Sequence, residues 1–342
     1  MTALLVVLAI GFAFSMGAHY TGACMGMPHA LGAIGARGAL LLMAPLTLAG
    51  AALASHGVER TVGHELLAGP GLSTAGLVIV LAVAFGLTSL FNVARVPTST
   101  IQILVFSVAG VGLAAGAGVR WATIGTLAAI WVAAPPAAGL LGYALTRVLD
   151  RVPAIRARAR ATGPAPAATA PGPAAAAGGP LAAALIAVGA LASFTMGGND
   201  VANATGPLVG AGVLGPLAAG LAGGAGLAAG VLSWGRPLLR RVAFDIVSVD
   251  RPMAAAAQLV QALVVLAAVA FGFFTSMNQA LIGAMTGAAV ARGRRAVHAG
   301  VLRGVLLGWL IGPGAAIALG FAAGRLAALS AGAHALRPAA LR

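Results

Sequence analysis

Ten apolar runs, each of about the length needed to cross or enter a bilayer, set the limits on what this chain can fold into. They are Met1–Ser15 (reaching Tyr20 with its polar end included), Leu40–Ala54, Leu77–Phe91, Ile103–Ala117 and Ala122–Leu145, then Leu181–Ala192, Leu208–Val231, Met253–Phe273, Ala280–Val290 and Val301–Ala323. In lipid every backbone polar group must be satisfied within the segment, and helices do this for isolated runs. With 60% hydrophobic and 8% charged residues, against about a quarter charged in soluble domains, the chain reads as an all-α polytopic membrane protein. Its start, Met1-Thr2-Ala3, has no positive n-region, so the first run reads as a retained span rather than a cleaved signal. The lone Cys24 excludes an internal disulfide.

Between the fifth and sixth runs lies Arg147–Pro180, with Arg147, Arg151, Arg156, Arg158 and Arg160 followed by low-complexity Ala/Pro/Gly sequence. That composition cannot bury a core and reads as a linker. The organisation is therefore a first transmembrane repeat over 1–146, a linker over 147–180, a second repeat over 181–330 and a tail over 331–342. The halves agree in register. Phe14-Ser15-Met16-Gly17, with Gly26 nine residues beyond Gly17, parallels Phe194-Thr195-Met196-Gly197 with Gly206; Thr98-Ser99 with Gln102 parallels Thr275-Ser276 with Gln279. The offsets are 180 and 177 residues, as expected of a duplication.

All the positive charge is arginine, for a net +14. The arginines punctuate apolar runs, as the positive-inside rule requires, which argues against nucleic-acid binding. About five crossings per half put Arg37, Arg95, the Arg147–Arg160 cluster, Arg236, Arg240, Arg241, Arg251, Arg292, Arg294 and Arg295 on one side. Arg60, Arg120, Arg337 and Arg342 fall on the other. The bias makes the central linker cytoplasmic and the N-terminus external, in the cytoplasmic membrane. An odd number of crossings inverts the second repeat, and inverted repeats with interrupted helices are the plan of secondary transporters.

The costliest residues lie in Phe194–Pro207. There Asp200, flanked by Asn199, Asn203 and Thr205, sits between membrane-grade runs, where an Asp costs about 2.5–3.5 kcal/mol at the bilayer centre. The glycines and Pro207 predict a broken helix here. Asn199, Asp200, Asn203 and Thr205 offer hard oxygens for Na⁺ or a carboxylate for H⁺; a packing seam would account for the small residues but not for Asp200. At the matching first-half positions stand His19, Tyr20, Ala23 and Met25, so a carboxylate site is missing. His19 is either a proton carrier or a hydrogen-bonded packing residue. Thr98, Ser99, Thr100 and Gln102, and again Thr275, Ser276, Asn278 and Gln279, open apolar helices with hydroxyls and amides. Helix N-termini of this kind bind anions, and ordinary capping is the alternative.

The Gly197–Pro207 stretch resembles the signature of the inorganic phosphate transporter (PiT) family, Gly-x-Asn-Asp-x-x-Asn-x-x-Gly, which members carry in each half. Pro97-Thr98-Ser99-Thr100-Ile101-Gln102, and less closely Phe274–Gln279, are similar to its second signature, Pro-Val-Ser-Thr-Thr-His. The resemblance covers nearly the whole chain. It implies a permease for an inorganic oxyanion driven by Na⁺ or H⁺, dimeric, with no cofactor beyond a bound Na⁺. The absent first-half Asn-Asp pair and the Gln in place of His depart from the pattern. Met16-Gly17-Ala18 is similar to the first motif of sulfate permeases related to that family. Phosphate leads because the second-half motif is intact, with sulfate as the alternative. An enzyme is not expected: His29, His56, His64, His298 and His334 lie outside the polar motifs, and no close His/Asp/Glu spacing recurs. A channel is disfavoured by the inverted plan.

Overall fold

The computed structural model describes residues 1–69, 71–96, 98–162, 179–239, 250–293 and 299–331. Pro97, most of the Ala/Pro/Gly linker, Arg240, Arg241, Arg294, Arg295, His298 and the tail with His334, Arg337 and Arg342 lie outside the described residues. The first half comprises α1 (Thr2–His19), α2 (Thr21–Ala30), α3 (Ala36–Ala54), α4 (His56–His64), α5 (Thr74–Ala94), α6 (Thr100–Ala114) and α7 (Trp121–Leu149). After α8 (Pro153–Thr162), the second comprises α9 (Pro180–Gly210), α10 (Pro216–Trp234), α11 (Arg251–Ala270), α12 (Met277–Ala291) and α13 (Ala299–Ala331). Among the described residues, eight stretches are long and apolar enough to span a membrane, with α1 and α2 counting as one. The 15-residue α6 and α12 reach only about 22 Å each, less than a hydrocarbon core. Large apolar side chains such as Leu53, Leu90, Val132, Leu140 and Leu310 face outward, as a lipid-facing surface requires.

The helix packing follows a twofold pattern. α3 lies along α9 and α10 along α1; α7 packs on α12 and α13 on α6; α5 joins α1 and α6, as α11 joins α9 and α12. Exchanging the halves maps this pattern onto itself. Glycines make these seams close. A Cβ on Gly197 would meet the Thr47 carbonyl and one on Gly17 the Leu227 carbonyl; Gly50 abuts Phe194 O and Gly230 abuts Phe14 O. These are two copies of one small-residue crossing, at the 180-residue offset.

The break expected within Phe194–Pro207 does not occur: α9 runs unbroken through it. Its glycines allow close approach to α3 rather than interrupting the helix, and its polar side chains find partners sideways. The interruption is in the first half, a single residue at Tyr20 (φ −93°, ψ 3°) between α1 and α2. Non-helical backbone also precedes α6 and α12. The turn out of α5 needs a left-handed residue, Arg95 (φ 56°); its counterpart out of α11 is Gly272 (φ 73°).

α1–α2 and α9, the equivalent helices, run antiparallel. Met16 touches Asn203, Cys24 lies on Ala192, and Pro28 lies against Gly189. Contacts also sort the arginines. Arg251 holds Leu31 O at 3.0–3.2 Å, and Arg292 bridges Asp150 and Asp250 between the ends of α7 and α12 and the start of α11. At the opposite end, Arg120 N bonds Leu66 O beside the end of α4.

Candidate functional site

Two short helices start at the centre of the bundle, and the same device opens both. Ser99 Oγ accepts the Gln102 N–H and Ser276 Oγ accepts the Gln279 N–H, each at 3.4 Å. Capping therefore occurs at both, and it engages the hydroxyl oxygens while leaving the O–H hydrogens free to donate. Asn278 Nδ2, in the first turn of α12, donates to Thr98 O just before α6 at 3.1 Å. The two N-termini, with first-turn N–H groups that have no partner within the helix and with positive dipole ends, thus meet. Thr98, Ser99, Thr100, Gln102, Thr275, Ser276, Asn278 and Gln279 are all buried there.

Both equivalent helices clamp the extended backbone in front of these N-termini. On α9, Asn199 Oδ1 accepts the Thr275 N–H at 3.2 Å while its Nδ2 donates to Thr275 O at 3.0 Å. On α1, His19 stands at the matching position, with Nε2 3.3 Å from Thr98 N and 3.2 Å from Thr98 O. Asn92 donates through Nδ2 to Ser15 O and Ser15 Oγ, so its Oδ1 faces His19 Nδ1, at 2.6 Å. That network assigns the proton to Nδ1 and makes Nε2 the acceptor for Thr98 N–H and for Asn278 Nδ2 at 3.3 Å. A histidine does in one half what an asparagine does in the other.

Asp200 is fully buried beside this junction. Its Oδ2 accepts from Asn199 Nδ2 at 3.1 Å. Tyr20 occupies the equivalent first-half position; its hydroxyl, 2.9 Å from Thr100 Oγ1, also faces the Asp200 carboxylate across the antiparallel helix pair. Asp200 Oδ1, Asn203 Oδ1, Thr275 Oγ1 and Asn278 Oδ1 are buried without hydrogen-bond partners. Such a set of hard oxygens with one carboxylate fits a small cation such as Na⁺. Among the described residues Asp200 has no ion-pair partner.

One expected residue belongs elsewhere. Thr205 donates to Val201 O at 3.0 Å and to Glu59 Oε1 at 2.8 Å, on the side of α9 that faces α4. Asp200 and Asn199 thus share the central cluster while Thr205 does not. Glu59, a fully buried carboxylate, escaped sequence reasoning because His56-Gly57-Val58-Glu59-Arg60 reads as a charged connection. The available signal was that Glu59 is one of only six acidic residues in the chain.

A family model described as the phosphate transporter family matches residues 16–320, and the chain belongs to that family. The sulfate permease CysP of Bacillus subtilis is 27% identical over 315 residues, covering 90% of this chain and 83% of its own. The chloroplastic inorganic phosphate transporter 2-1 of Arabidopsis thaliana is 33% identical over 132 residues, 35% of this chain and 22% of that protein. The human sodium-dependent phosphate transporter 1 is 28% identical over 137 residues, 37% of this chain and 20% of that protein. The chain therefore spans only about a fifth of the length of these two phosphate transporters. A solved structure titled the sodium-dependent phosphate transporter superposes with a TM-score of 0.81 at 22% identity, covering 96% of this chain and 99% of its own, and so shares its fold.

Proposed function

We propose that this family member is a secondary active transporter that carries inorganic phosphate across the cytoplasmic membrane together with Na⁺ or H⁺. One observation carries the reading: two hydroxyl-capped helix N-termini and the chain's membrane-buried aspartate converge on one buried junction. The N-termini supply donors for an oxyanion, the Ser99 and Ser276 hydroxyls and the first-turn amides. Asp200, with Asn203, supplies the acceptor for the coupling ion. Cation and anion lie side by side, so each lowers the cost of bringing the other out of water. His19 and Asn199 are positioning residues that hold the two anion-binding backbones.

The antiparallel run of the equivalent helices supports inverted repeats, and with them alternating access about the Tyr20–Asp200 crossing. Arg251 and Arg292 join helix ends on the arginine-rich face, which the positive-inside rule makes cytoplasmic. Homodimerisation, implied by the family resemblance, completes the proposal.

A second reading, sulfate, is favoured by Tyr20 standing where a second carboxylate would. Hydrogen phosphate has a proton to donate, and sulfate near neutral pH has none, so losing an acceptor penalises phosphate more. Uptake of labelled phosphate and of labelled sulfate into proteoliposomes, each challenged with the other unlabelled, separates the two. Saturable phosphate uptake that excess sulfate fails to suppress is expected; uptake of sulfate alone selects the second reading, and uptake of neither refutes both.

A further inference from the structure

Glu59 lies outside the eight spanning stretches and is wholly shielded from solvent. It sits on α4 where α4 continues the α3 seam along α9, and Gly206 packs against its backbone carbonyl. Its Oε1 accepts the Thr205 hydroxyl, whereas Oε2 has no partner. The Ser55 hydroxyl, also close, shares its hydrogen between Ala51 O at 2.7 Å and the carboxylate.

The surroundings hold little charge. On α4 itself, His56 and Arg60 are exposed and His56 interacts with the carboxylate only at a distance. α9 brings Asp200, five residues before Thr205. The parts of α3 and α10 packed here, and the turn around Gly272, bring no titratable group. Burial accordingly pushes the Glu59 carboxyl above its ordinary value, against weaker opposing pulls from the Thr205 and Ser55 hydroxyls and from His56. One helical turn further along both helices, Val62, Gly63 and His64 on α4 and Pro207 and Gly210 on α9 line a cavity of about 320 Å³.

Resting on the transporter reading above, we infer that Glu59 is a second proton-binding site of the transport cycle, loaded from the α4–α9 cavity and sensed by the signature helix through Thr205. A proton from cavity water adds to Oε2 while Oε1 keeps the Thr205 hydrogen bond; return of that proton to water restores the carboxylate. The first half, which lacks an aspartate opposite Asp200, thereby contributes its own acid to α9 from another helix.

Carbodiimide, which modifies protonated carboxyls, tests this on the full chain in proteoliposomes, with peptide mass spectrometry locating the adduct. The expected midpoint of Glu59 labelling lies above the ordinary glutamate value and rises further in Thr205→Val, which loses the hydrogen bond that favours the carboxylate. In transport, Glu59→Gln is expected to retain anion exchange within about threefold yet lose at least tenfold of the accumulation driven by a pH gradient. Labelling with an ordinary midpoint, or Glu59→Gln accumulating anion like the wild type, overturns the proposal. The labelling arm uses the wild-type protein and so decides even where Glu59→Gln does not fold. A wild type that takes up no oxyanion refutes the transporter reading instead.

Discussion

Replacing His19 and Asn92 together rebuilds in the first half the clamp that the second half already uses. The offset of 177 residues pairs Asn92 with Val269, and the double variant His19→Asn/Asn92→Val copies the Asn199–Val269 arrangement. His19→Ala strips two buried groups of their partners, the Thr98 N–H and Asn92 Oδ1. At about 1–3 kcal/mol for each orphaned group, that variant loses roughly 2–6 kcal/mol, before any cavity is counted. His19→Asn restores the Thr98 contacts and leaves only Asn92 Oδ1 unpaired, a loss of about 1–3 kcal/mol. Adding Asn92→Val removes that orphan and should return stability to within about 1 kcal/mol of wild type. Thermal unfolding in detergent gives the order, and proteoliposome uptake across a pH series gives the function. The double variant should transport with an unaltered pH profile. A double variant as unstable as His19→Ala, or one that folds but has lost proton-dependent uptake, refutes the clamp and returns His19 to carrying a proton.

Three further outcomes follow from the packing. Gly197→Ala puts a methyl 2.8 Å from Ala51 N and still closer to Thr47 O; forcing α3 and α9 apart should cost about 1–3 kcal/mol, read as a lower unfolding temperature. Arg95→Gly relieves a left-handed non-glycine residue and should stabilise by about 1 kcal/mol, read as a higher unfolding temperature. Glu59 binds its proton more tightly folded than unfolded, so its contribution to stability is fully present below the unfolded-state value and is lost as pH rises through the folded one. The unfolding temperature of Glu59→Gln should therefore fall less than that of wild type over that window.

The buried polar cluster of the candidate site was legible in sequence because its members are costly in lipid: Asp200 and its two asparagines have no bland explanation, and the Thr-Ser pairs repeat at a fixed offset. What glycine does was not legible. Gly197 and Gly198 in a polar stretch predict a break as readily as a close crossing, and only α3 lying against them decides for the crossing. Thr205 read as part of the Asp200 site because five residues are near in sequence, yet on a helix they are turned about 140° apart. Glu59 required the third dimension altogether, since nothing local marks an acid in a short polar helix as one that will be covered by α9. The register of His19 with Asn199 was visible, whereas its tautomer depends on Asn92, more than seventy residues away.

Gradient-driven uptake by Asp200→Asn compares the account most directly with experiment. The amide keeps the side chain's shape and can still accept from Asn199, so the protein should fold and reach the membrane. The substitution removes the negative charge that the proposed mechanism sets against the coupling ion. With Na⁺ and H⁺ gradients imposed separately on proteoliposomes, accumulation of labelled phosphate should fall to the level set by passive equilibration under either gradient. A variant that still concentrates the anion as the wild type does, with the same dependence on the driving ion, contradicts the role given to Asp200 and with it the coupling mechanism.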